Sequence, residues 1–364
     1  MRVLFYHGGS DWTGSARAFA TMARLMAQRG YQVTYACPAD SLAERRASYS
    51  GFEVIPVEPA GSLLGDAFRL KNLLLGRFVE VICVHTEREQ LVCSIATRLA
   101  ERGAVVRRVA AGDVLRPGLR LGGAMRMAAS GYLYASPAEL ATAPPMPRAI
   151  GSWVVPVGVD IDSYEEVRPT PRAAIGAGGV TRLAVCVYEP SARGSIGTVL
   201  RTVALLSARH PDLRLALLGR GSDDEALRMH AAALGITGVV SHLGERDDAL
   251  QVMRAADVGW VVADGDDAAF AALDFMAMRI PVLAERGSIA QRHVADAITG
   301  LLLPPGDAPA SAAALAAFLH YDEQRAAMGN AGRLRVGREF ALGPMGDALQ
   351  RAVEAARDRS RWVL

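Results

Sequence analysis

The chain has 364 residues, 51% hydrophobic and 21% charged, with a formal net charge of +2. That length exceeds one ordinary core and predicts two domains. The composition excludes a disordered chain, and the near-neutral balance gives no electrostatic ground for binding nucleic acid.

The first half alternates short apolar runs with helical periodicity. The N-terminus, MRVLFYHGG, reads as a first strand rather than a targeting segment. HGGSDWTGSA follows as a Gly-rich turn, and residues 16–30 carry apolar residues at helical spacing, stopped by Gly30. YQVTYAC and residues 53–57 read as strands, 62–78 as a helix, 79–86 as a buried strand, 89–103 as a helix and AVVRRVA as a strand. This rhythm predicts βαβ units around a parallel sheet.

Residues 150–177 break the rhythm with several Gly and three Pro, so the domain crossing is expected there, with a linker at about 166–177. A second series then begins. TRLAVCVY, LRLALLG, GVVSHLG, VGWVVAD and IPVLAE read as strands, with helices between them. The region from 310 onward reads as mostly helical. Two doubly wound α/β domains are expected: residues 1–165, joined by a C-terminal helix at 345–364, and residues 178–342. In such sheets ligands sit at the carboxyl ends of the strands, so a cleft between the domains is the expected site.

The four Cys form no CxxC pair and lie mostly in apolar runs, which predicts free thiols in a reducing, cytoplasmic setting. No stretch approaches the ~20 apolar residues of a spanning helix.

Several segments carry a family likeness in one order. They are WTGSARAFATMARLMAQRGYQVT, VVPVGVDIDSY, LLGRGSDDEALRMHAAALGITGVVSHLGE, RDDALQVMRAADVGWVVAD, DGDDAAFAALDFMAMRIPVLAE and GSIAQRHVADAITGLLLPPGD. Together they resemble the retaining, GT-B-fold glycosyltransferases of family 4, built from two Rossmann-like domains facing across a cleft. The first domain would take the acceptor and the second the nucleotide sugar. The resemblance implies transfer of a sugar from a nucleoside diphosphate to a glycan, glycolipid or small-molecule acceptor. Retention would follow from a front-face step with the leaving phosphate as base. No cofactor or metal is implied, because cations and helix N-termini would carry the charge. A bacterial polysaccharide or glycolipid intermediate is the acceptor the family suggests.

The likeness assigns roles residue by residue. Gly14 and Ser15 would let a helix N-terminus approach the diphosphate, although any βα turn favours Gly. Gly219 and Gly221 form a similar turn on the donor side. Arg193, in SARGS, falls on the family's Lys and would stabilise the leaving diphosphate; the companion Arg position falls on Tyr188. Asp266 and Asp274 replace the two Glu of the family's E-x7-E motif, each one methylene shorter. On one helix they would stand about 80° apart. The first would contact donor sugar hydroxyls and the second the ribose, while helix capping is the plain alternative for Asp266. Ala268, Ala269 and Phe270 stand where small glycines usually follow the first acid. Asp113, after Gly112, stands in the region where the family has a catalytic His. His85 and His7, each after a strand, are candidates for acceptor contact, though a lone strand-end His is more often structural. The other five His show no ligand cluster in the sequence.

Arg98, Arg102, Arg107, Arg108, Arg116, Arg120 and Arg126 crowd one part of the first domain. Related enzymes with lipid-linked acceptors dock on anionic membranes through such a surface, at the inner face of the cell membrane. A set of solvated faces is the plainer reading. Set against the enzyme is a degenerate homologue that keeps the fold, binds a sugar nucleotide or serves as a partner subunit. Shortened acids, Tyr188, filled glycines and Gly112 in place of the His motivate that alternative.

Overall fold

The computed structural model describes residues 1–48, 51–58, 61–115, 129–179 and 182–360, with the backbone alone at 129, 130, 191 and 193–195. The chain divides into two compact units, Met1–Gly158 with Leu342–Leu364, and Val159–Ala341. Residues 159–165, expected in the first domain, and the expected linker 166–177 therefore fall in the second unit. Tyr164, Ile175 and Ala177 are buried there, Thr170 N–H donates to Gln251 O, and Arg172 pairs with Asp257 at 3.1 Å. These contacts hold as structure a stretch whose Gly and Pro content reads as a connection.

The first unit holds a sheet of seven parallel strands in the order β3-β2-β1-β4-β5-β6-β7. They are β1 (Arg2–Tyr6), β2 (Gln32–Pro38), β3 (Glu53–Val57), β4 (Val81–Val84), β5 (Ala104–Val109), β6 (Ala129–Tyr134) and β7 (Gly151–Val154). The helices are α1 (Gly14–Gln28), α2 (Leu42–Ala47), α3 (Leu63–Arg77), α4 (Glu87–Ala100) and α5 (Pro137–Ala141). Side chains alternate across β1. Val3 and Phe5 join a core with Phe19, Met22 and Tyr35, while Leu4 and Tyr6 join another with Leu70, Leu74 and Val92. Both faces of the sheet are thus covered, which is why the strands read as unbroken apolar runs. Thr13 caps α1, its side chain accepting from Ala16 N–H, and Thr86 with Glu89 forms a reciprocal capping box on α4.

The second unit holds a six-stranded parallel sheet in the order β10-β9-β8-β11-β12-β13. Its strands are β8 (Arg182–Tyr188), β9 (Leu213–Leu218), β10 (Val240–His242), β11 (Val258–Val262), β12 (Val282–Glu285) and β13 (Gly300–Leu303). The helices are α6 (Arg193–Ser207), α7 (Glu225–Ala233), α8 (Ala249–Arg254), α9 (Gly265–Ala277), α10 (Ala308–His320) and α11 (Asp322–Glu339). Trp260 and Val262 on β11 pack in one core with Cys186, Leu200, Leu217 and Leu315. The chain then returns to the first unit as α12 (Leu342–Asp358). Its buried Met345, Leu349, Ala352, Val353 and Ala356 recur at helical spacing and join the Phe5 core. All four cysteines are buried free thiols, and no described helix is long and apolar enough to cross a membrane.

Candidate functional site

In the second unit a cavity of about 690 Å³ opens around the carboxyl ends of β11, β12 and β13. That volume suits a small-molecule ligand, and strand ends are where doubly wound sheets place one. Its lining includes Asp264, Glu285, Arg286, Gly287, Ser288 and Gly306. Asp264 follows β11 and occupies the cap position of α9, but its side chain makes no capping bond. Arg286 is held by Asp296 at 2.9 Å and by Leu302 O at 3.1 Å. Gly287 takes a positive φ of 86°, which turns the backbone into the cavity wall.

Neither acid of the expected donor motif is on that lining. Asp266 and Asp274 are 2% and 4% exposed, and Ala268, Ala269 and Phe270 are buried with them. The cap position falls on Asp264, so Asp266 is not the cap; it stands in the first turn of α9 with Asp267, where negative charge complements the helix dipole. The Asp274 carboxylate accepts a short hydrogen bond from the hydroxyl of Tyr164, which is also buried. Near Asp266 lies His293, buried against Phe340 with ring centroids 5.0 Å apart. Burial, then Arg292 and Arg335, push its pKa down to about 4, against the pull of Asp266.

The Gly219–Gly221 turn has a packing explanation. Gly219 has a φ of 114°, and a Cβ there would stand 2.3 Å from Tyr188 O. Gly221 has a φ of 74°, and a Cβ there would meet Pro190 at 2.9 Å. Tyr188, at the family's Arg position, is 4% exposed and belongs to the core of the unit. Arg193 is the first residue of α6, directly after the short turn that ends β8.

In the first unit Gly14 and Ser15 are the first two residues of α1, in its opening turn rather than before it. Asp113 is exposed in the turn after β5, where its N–H donates to Ala110 O. His7 and His85, distant in sequence, come together because β1 pairs with β4. Their rings stack at 4.8 Å, and Glu89 stands against both. Burial and then His85 push the His7 pKa down to about 4, opposed by Glu89 and the Asp11 backbone. Burial would raise the Glu89 carboxyl, but His85 and the N–H groups of Thr86 and Gly8 bring it down to about 2. His7 and His85 are thus not lone strand-end residues: among the described residues they form, with Glu89, one potential ligand cluster.

The Arg-rich region does not form one surface. Arg108 is 1% exposed and Arg107 is half-buried, bonded to Gln90, because both lie on β5 inside the sheet. Arg98 and Arg102 remain on the outside of the unit, Arg102 lying 5.2 Å over the ring of Phe78. Arg116, Arg120 and Arg126 lie outside the described residues.

Residues 186–335 match the family described as Glycosyl transferases group 1. Over 186 residues the chain is 34% identical to a phosphatidyl-myo-inositol mannosyltransferase of Mycolicibacterium smegmatis, covering 49% of this chain and 46% of that protein. It is 29% identical over 188 residues to a D-inositol 3-phosphate glycosyltransferase of Corynebacterium urealyticum, covering 48% of this chain and 44% of that one. The chain thus spans about half the length of the curated relatives it matches. In fold it is similar to Anabaena HepE in complex with UDP and glucose, with a TM-score of 0.79 and 19% identity over 97% of this chain and 99% of that one. A glycosyltransferase from Rickettsia africae gives 0.77 and 14% over 98% of each chain. The cavity and α9 both lie within the matched segment. The second unit thus carries a segment that matches glycosyl transferases group 1, and the chain has the GT-B fold of these solved structures.

Proposed function

We propose that the chain is a glycosyltransferase that moves a sugar, with retention, from a nucleoside diphosphate to a glycan or glycolipid acceptor. The observation that carries this is the strand-end cavity of the group 1 domain, with carboxylates and one guanidinium on its lining. In this reading Asp264 or Glu285 accepts hydrogen bonds from hydroxyl groups of the sugar nucleotide, and Arg286 and the N-terminus of α6 meet the diphosphate. Cationic and N–H donors there stabilise the charge that gathers on the leaving group. Curated relatives named for mannosyl transfer to inositol lipids and for lipopolysaccharide core synthesis favour a lipid-linked acceptor.

Calorimetric titration with UDP-, GDP- and ADP-sugars, followed by an assay of donor hydrolysis and transfer, tests the proposal. Binding of one donor with turnover is expected; binding of none overturns it. A second reading, a homologue that binds the nucleotide without turnover, is favoured by the Tyr164–Asp274 bond and the burial of Tyr188. Donor binding without hydrolysis or transfer to any acceptor is the result that selects it.

A further inference from the structure

We propose that His7, His85 and Glu89 form a site for a divalent transition-metal ion of the Zn²⁺ class inside the first unit. The cluster is assembled by the fold. His7 follows β1, His85 follows the adjacent β4, and Glu89 is in the first turn of α4. One potential ligand atom from each lies within 4.8 Å of the other two.

The polar groups of this cluster are unevenly satisfied. His7 is 2% exposed, and neither of its ring nitrogens meets hydrogen-bond geometry, although the Asp11 backbone stands beside the ring. His85 Nδ1 is likewise buried, 3.0 Å from Glu89 Oε2 but outside hydrogen-bond geometry. Buried nitrogens with poorly formed hydrogen bonds are costly and uncommon, and an ion would use the one lone pair that each neutral ring offers. Glu89 is the opposite case. Its Oε1 accepts from Gly8 N–H at 2.6 Å, and its Oε2 accepts from Thr86 N–H at 2.9 Å and His85 N–H at 3.0 Å. Those backbone bonds fix the carboxylate, as outer contacts do around bound metals, and leave Oε1 a lone pair.

The turn after β1 is shaped to the cluster. A Cβ at Gly8 would stand 3.1 Å from Glu89 Oε1, and one at Gly9 would stand 3.2 Å from the His7 ring. Two imidazoles and one carboxylate select a transition ion over Mg²⁺ or Ca²⁺, which take oxygen ligands. Three protein ligands leave a coordination position for water or a ligand. Zn²⁺ bonds of about 2.0–2.1 Å set tetrahedral donors roughly 3.4 Å apart. The widest pair would therefore close by about 1.4 Å, which rotation of the side chains supplies.

The test uses the full chain after chelator treatment, titrated with Zn²⁺ by calorimetry and with Co²⁺ by visible absorption. A single equivalent bound, with the d–d bands of four- or five-coordinate Co²⁺, is expected. His7→Gln and His85→Gln are each expected to weaken binding at least about tenfold, while the exposed His320→Gln leaves it unchanged. No stoichiometric uptake by the wild type overturns the proposal, as does uptake that His85→Gln does not weaken. His85 is the deciding position if the buried His7→Gln variant fails to fold, as circular dichroism would reveal. The readout is independent of sugar transfer, so this site stands or falls apart from the proposed function.

Discussion

The hydroxyl of Tyr164 donates to Oδ1 of Asp274, and both side chains are buried within the second unit. The bond joins residues 110 apart in sequence and ties the segment that opens this unit to the C-terminal part of α9. Tyr164→Phe keeps the ring and removes the donor, so the carboxylate loses a partner where water does not reach. An unfolding free energy lower by about 1–3 kcal/mol is expected in urea titration. Asp274→Ala is expected to cost at least as much. An unchanged affinity for nucleotide in that variant would remove the carboxylate from the binding site.

Arg286 and Glu285 test the cavity more directly. Arg286 is exposed, and its pairing with Asp296 is of the kind that adds little stability. Arg286→Ala is expected to weaken binding of a nucleoside diphosphate about tenfold, or ~1.4 kcal/mol, with the melting temperature unmoved. Glu285→Gln should lower sugar-nucleotide affinity in the same calorimetric experiment. Full affinity in both variants would move the ligand elsewhere.

Two glycines with positive φ should respond differently to a methyl group. Gly287→Ala meets nothing within 4 Å, so only backbone strain opposes it, at about 1 kcal/mol. Gly219→Ala adds a Cβ 2.3 Å from Tyr188 O on top of the strain, and a loss of about 3 kcal/mol or more is expected. Chemical denaturation of the two variants side by side measures the difference.

His293 predicts the pH response of the second unit. Its pKa is near 6.5 when unfolded and about 4 when folded, so between those values the unfolded chain binds the extra proton. Stability should therefore be fully present above pH 6.5, fall as pH drops toward 4, and level off below. The single group contributes up to about 3 kcal/mol. His293→Gln should flatten that part of the curve in unfolding measured across the pH range.

The apolar runs made much of the sheet core readable. Residues 53–57 coincide with β3, and the expected strands around β1, β4, β8 and β11 differ from the observed ones only at their ends. β6 and β7 were not readable, because each carries a Gly in place of a β-forming residue. Gly131 and Gly151 are needed there, since a Cβ at either would stand within about 2 Å of the Trp153 ring. The family motif points to the helix, whereas the cavity is lined by Asp264 and Glu285, the last residues of VGWVVAD and IPVLAE. A strand-end rule finds them where a helix spacing does not. The Tyr164–Asp274 and His7–His85 contacts had no local signal, because strand order and packing alone bring those residues together.

Helix α12 has a consequence for synthesis. Leu349, Val353 and Ala356 complete a core whose other members, Phe5, Phe19 and Tyr35, leave the ribosome more than 300 residues earlier. The stretch 159–341 is made in between and can bury its own apolar residues first. The nascent first unit must therefore wait with one face of its sheet unsealed while the second is translated. The segment made earlier is completed later, and the interval is when a chaperone or an aggregating neighbour has access to it.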